Sequence, residues 1–194
     1  MAKQFSLHRI LSFIFAPQIS PIYWFFLLYL RSLSTNFIYF LIAVVFSSLV
    51  QIISLLVYMK SSKVGFYVLD KKKRLPLFTI GIISYIVGFI ILEFTGAPFI
   101  FKALMLAYVI NTIIAAIITK YFTKISIHVW GISGPSVAIL YAYGLPAFLI
   151  MLILAAIVGY SRIKLKAHII NQVIAAIIFS VLITILVIYG LKII

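Results

Sequence analysis

Residues 37–58 read FIYFLIAVVFSSLVQIISLLVY. The run carries no charge, and at 1.5 Å per residue it has the length a helix needs to cross a hydrocarbon core of about 30 Å. Only a helix or a closed barrel satisfies its own backbone in lipid, and a run this long and unbroken is a helix rather than a strand of alternating polarity. The rest of the chain repeats the theme. Of 194 residues, 66% are hydrophobic and 9% are charged, too few to give a soluble domain a mixed, charged surface. The expectation is an all-α polytopic transmembrane bundle of six to seven spans, one integral membrane domain over residues 1–194.

Working outward, seven apolar segments can be marked. One lies within residues 11–31 and is broken by Pro17 and Pro21, so it either spans or stays re-entrant or interfacial. After 37–58 come segments at about 77–92, closed by Glu93 and TGAP, and at about 99–119. A fifth ends near Tyr143, where Gly144 and Pro146 turn the chain into a sixth that ends at Tyr160; the seventh covers about 168–191. Alternating the loops places Lys3, Arg9, Lys60, Lys63, Lys71, Lys72, Lys73, Arg74, Lys120, Lys124, Arg162, Lys164 and Lys166 on one side. Arg31, Lys102 and Lys192 fall on the other. Lysine and arginine in short loops mark the cytoplasmic face, so the basic side is expected there.

There are 16 basic residues against 2 acids, Asp70 and Glu93. Such a balance suits lipid headgroups, a phosphate-handling site or topology signals. It argues against nucleic acid as partner, because the cations sit in short loops beside spans. With no cysteine, three histidines and no HExxH, no metal site and no cofactor are expected.

The chemistry concentrates in SRIKLKAHIINQ, residues 161–172, and KYFTKISIH, residues 120–128. Two histidines, His128 and His168, stand at helix starts on the basic side. One neutral imidazole can attack phosphorus and the other can protonate the leaving oxygen, while fixed cations hold the non-bridging oxygens. A helix starting near His168 would add its N-terminal dipole.

These residues resemble the signatures of the type 2 phosphatidic acid phosphatase superfamily. Ser161, Arg162 and His168 match its third signature, Ser-Arg, five residues, His, three residues, Asp, with Gln172 at the Asp position. ISIH is similar to the second signature, Pro-Ser-Gly-His, at Ser126 and His128. DKKKRLP resembles the first, Lys, six residues, Arg-Pro, through Arg74 and Pro76. The resemblance covers about residues 60–190 and implies a metal-independent lipid phosphatase acting on a lipid phosphate or polyprenyl (di)phosphate. By that resemblance His168 is the nucleophile, His128 the general acid, and Arg162, Arg74, Lys71, Ser126 and Ser161 bind phosphate.

Gln172 follows His168 by four residues, one helical turn, so its carbonyl oxygen is placed to orient the ring without supplying negative charge. Asp70 is the only acid expected on this face and is a second orienting candidate. Gln172 also supports another reading, a non-catalytic protein that binds anionic lipid, transports or acts as a scaffold. Lys164 and Lys166 read as topology anchors, Gly131, Ser133 and Gly134 as helix-packing positions beside a Pro135 kink, and Gln51 and Asn111 as interhelical hydrogen bonds. His8 receives no role.

Overall fold

The computed structural model describes residues 7–31, 36–62, 70 and 72–193, and every described element is helical. The first apolar segment is two helices: α1 (Leu7–Ile14) and α2 (Ser20–Arg31). Pro17 lies in the turn between them, where it breaks the helical ladder, and Pro21 occupies the first turn of α2, where its missing N–H costs nothing. Six helices follow: α3 (Phe37–Ser62), α4 (Leu75–Phe94), α5 (Phe99–Tyr121), α6 (Ile127–Tyr143), α7 (Leu145–Lys164) and α8 (Ile170–Ile193). Five of them, α3, α4, α5, α7 and α8, are long and apolar enough to cross a membrane. Their outer faces present Ile53, Val57, Ile150, Ile153 and Leu186, as a lipid-facing surface would. The chain is an integral membrane protein.

The shorter α6 is the central helix. It is buried from His128 to Ile139 except at Gly131, and packs on α2, α7 and α8. Pro135 sits inside it and has no N–H to offer the Gly131 carbonyl one turn earlier. That carbonyl accepts instead from Trp24 Nε1 at 2.8 Å and Ser20 Oγ at 3.3 Å, both on α2. Arg31 Nε reaches the Ala142 carbonyl at 2.7 Å and Tyr143 donates to Leu27 at 2.6 Å. So α2 runs beside α6 from Gly131 to the helix's C-terminal end.

Polar bonds of the same kind fix the remaining helices. A π turn at Val45–Leu49 interrupts α3, and the Phe46 carbonyl there accepts from Ser84 of α4 at 2.6 Å. Ser133 and Ser180 pair at 2.7 Å between α6 and α8, and Asn111 of α5 donates to Thr184 of α8 at 2.9 Å. At the turn after α4, Gly96 adopts φ +71 and the Ala97 N–H returns to Leu92, a left-handed helix stop that TGAP supplies. Glu93 and Lys102 pair across it at 3.0 Å, at the end of the bundle away from the histidines.

Two boundaries differ from the sequence reading. Residues 161–164 continue α7 rather than forming a loop, so Ser161 and Arg162 belong to its last turn. The helix after them starts at Ile170, which leaves His168 just ahead of it.

Gly88 of α4 faces the π turn so closely that a Cβ would lie 2.6 Å from Phe46 Cβ. Gly88→Ala is expected to lower stability by about 1–3 kcal/mol, seen as a lower unfolding midpoint in detergent. An unchanged midpoint would mean that α3 and α4 separate without cost.

Candidate functional site: a cationic histidine cluster

Three helices, α4, α6 and α8, start at the same end of the bundle, so their N-terminal dipoles add there. Arg74 caps α4, is 3% exposed, and donates through Nη1 to the Ile125 carbonyl at 3.2 Å. Arg162 is the largest fully buried side chain, at 0% exposure. Burial, and then the charge of Arg162, lower the Arg74 pKa to about 10. Burial, Arg74 and Arg162 also lower that of Lys124, against a smaller opposing pull from Asp70. Cations buried this close together make this end of the bundle electropositive.

His168 is buried beside them. Its Nδ1 lies 2.9 Å from Gln172 Oε1, while the Gln172 amide donates to Thr123 Oγ1 at 3.0 Å and the Ile169 N–H reaches Oε1 at 3.4 Å. With the amide hydrogens on Thr123, Oε1 accepts, so Nδ1 carries the proton and Nε2 keeps its lone pair. Nε2 is buried without a hydrogen-bond partner, as is Ser126 Oγ, at the position preceding α6. Burial is the main force holding the His168 pKa down to about 3; the Gln172 bond opposes it, and Arg74, Lys124 and Arg162 add to it. The ring is neutral at physiological pH.

His128, the second residue of α6, is 4% exposed; burial first, and then the charges of Arg162, Arg74 and His168, lower its pKa well below the usual histidine value. One of its nitrogens bonds the backbone of Ser12, on α1. The same helix brings His8 to Ser161. The Ser161 hydroxyl donates to Ile157 at 3.1 Å and so accepts from His8 Nδ1 at 3.2 Å, with the His8 ring edge-on to Tyr160.

The structure therefore gathers His168, His128, Arg162, Arg74 and Ser126, with Gln172 on the His168 ring. The Ser161 hydroxyl donates to the Ile157 carbonyl of its own helix. Asp70 is exposed and its charge acts on Lys124, whereas the charges acting on His168 are Arg74, Lys124 and Arg162. Lys71 lies outside the described residues. Sequence reasoning missed His8, Ser12 and Thr123, which reach the site only through tertiary packing. Among the described residues no three of His, Asp or Glu gather around a common metal position.

A chamber of about 110 Å³ opens beside Arg74 and His128 and runs inward between α3, α4, α5 and α6. Gln51 lines it with its amide nitrogen unpartnered, which corrects the expectation of an interhelical bond; Asn111 does make one, through its nitrogen. No family model, curated protein or solved structure matches the chain.

In the unfolded chain His168 takes a proton near pH 6.5, while in the folded chain it stays neutral to about 3. Acid therefore favours unfolding across that window, and this contribution to stability, complete above 6.5, is lost as pH falls towards 3. His168→Gln should flatten the acid loss of stability measured by denaturant unfolding. A slope equal to the wild type's would contradict the burial assigned to the ring.

Proposed function

We propose that the chain is a membrane-embedded lipid phosphatase of the type 2 phosphatidic acid phosphatase kind, hydrolysing a lipid phosphate or polyprenyl (di)phosphate without a metal. One observation carries the reading: the His168 ring is oriented by Gln172 through Nδ1, its Nε2 is buried and unpartnered, and buried arginines surround it.

In the first step the Nε2 lone pair attacks phosphorus. The bond from phosphorus to the lipid oxygen breaks, and His128, which takes up a proton only as the anionic phosphate arrives among the cations, gives that oxygen the proton. Arg74, Arg162 and Lys124 balance charge on the non-bridging oxygens, with Ser126 donating a hydrogen bond. Lys71 keeps the phosphate-binding place that the resemblance gives it. In the second step water attacks the phosphohistidine, His128 accepts its proton, and inorganic phosphate leaves with His168 restored. Gln172 orients the ring but cannot offset the positive charge that develops on it, so its contribution is geometric.

That neutrality favours one competing reading, a protein that holds an anionic headgroup without cleaving it. Phosphate release from a panel of lipid phosphates, with purified protein and no added metal, separates the two. Release by the wild type that disappears in His168→Ala and falls about 10- to 100-fold in Gln172→Leu supports the phosphatase. Binding without release across the panel supports the holder.

The protein is proposed to lie in the cell membrane with the histidine face in the cytoplasm, on the strength of the lysine and arginine bias. The chain has no cysteine, so single-cysteine labelling reads this directly. In intact cells Phe94→Cys should label from outside and Lys166→Cys should not; the reverse pattern would invert the orientation.

A further inference from the structure

Phosphate chemistry does not account for the inner wall of the chamber. Beyond Arg74 and His128 the wall carries Trp130 Nε1, Gln51 Nε2 and the Tyr108 hydroxyl, three buried donors without a partner, and Asn111 Oδ1, an acceptor in the same condition. All four residues are more than nine-tenths buried. Gly81 lines the same space, and a Cβ there would enter it in ordinary contact with Gln51 Oε1 at 3.4 Å and the Tyr85 ring at 3.6 Å. It stands seven residues along α4 from Arg74, roughly 10 Å deeper at 1.5 Å per residue.

At that depth lipid offers these donors nothing, and polar groups kept inside a membrane bundle serve a ligand or one another. They do not serve one another here. A hydrocarbon tail drawn through the chamber would leave all three donors unsatisfied. A ligand with ether, ester or hydroxyl oxygens on its first carbons would pair them, and the excess of donors over acceptors matches such an occupant.

We propose that this wall is an uncharged subsite for neutral oxygen acceptors of the lipid alcohol. It selects leaving groups with an oxygen-bearing backbone, such as glycerol, over isoprenoid alcohols that are bare hydrocarbon beyond the first oxygen. The term leaving group rests on the phosphatase reading, but the subsite binds whether or not the bond is cleaved. The phosphate sits at the Arg74 and His128 mouth, and the oxygens of the next few atoms meet Gln51, Tyr108 and Trp130.

Binding of the uncharged alcohols tests this without catalysis. Dioctanoylglycerol and farnesol are titrated into protein held in amine-oxide micelles, which contribute no ester or ether oxygens, and tryptophan emission is followed. Dioctanoylglycerol should shift the emission saturably, with farnesol roughly tenfold or more weaker. The near-isosteric Tyr108→Phe and Gln51→Leu should each weaken dioctanoylglycerol about three- to tenfold and leave farnesol unchanged. Equal affinity for the two alcohols, or no saturable shift from either, overturns the subsite, and neither result depends on how the variants fold. Selective binding without phosphate release from any lipid phosphate would leave the subsite standing and remove the phosphatase. Equal release from dioctanoylglycerol phosphate and farnesyl phosphate, with equal binding, would do the opposite.

Discussion

A peptide carbonyl inside hydrocarbon that has lost its helical partner must be given another donor, and Pro135 produces such a carbonyl at Gly131 in the middle of the central helix. Trp24 and Ser20 supply the donors, which pins α2 along α6 and carries α1 over the cationic end. The same demand is met at Phe46 by Ser84, and side-chain pairs Asn111–Thr184 and Ser133–Ser180 do the equivalent between α5, α6 and α8. Directed bonds of this kind matter because apolar contact alone distinguishes poorly between a neighbouring helix and a lipid tail. The unpartnered polar atoms then become informative. Several of them, on Ser126, His168 and the chamber wall, cluster at the histidine end and directly beneath it.

The cluster concentrates positive charge in a way a purely structural site would avoid. Buried arginines are ordinarily balanced by carboxylates. Here burial and the charge of Arg162 lower the affinity of Arg74 for its proton, burial and both arginines lower that of Lys124, three helix dipoles add to the field, and the nearby acid, Asp70, is exposed. The neutral histidine in their midst is what nucleophilic attack on an anion requires. A protonated ring would bind phosphate as one more cation and have no lone pair to give.

Much of the architecture was legible because the signals are local. Long apolar runs, Pro17 and Pro21, the TGAP turn and Gly144–Pro146 all mark boundaries through backbone chemistry that needs no partner. The error at residues 161–164 has an equally local cause. Arg and Lys are good helix formers, nothing in SRIK stops a helix, and the stop falls at Lys166, whose φ of 54 no glycine announces. In the site, the four-residue spacing of His168 and Gln172 foretold their contact because both sit at one helix start. His8, Ser12 and Thr123 were illegible, since each arrives from an element distant in sequence. The bond by which Ser161 returns its proton to the preceding turn was illegible too, since motif spacing does not reveal it.

The complete burial of Arg162 also bears on how the bundle assembles. Docking α7 against α6 brings its charge within reach of Arg74 and His128, so closure of this end works against like-charge repulsion. Anionic headgroups in the surrounding leaflet would offset part of that repulsion. The chain would thus complete its fold more readily in a membrane rich in acidic lipid than in a neutral one, making lipid composition a partner in its biogenesis as well as its setting.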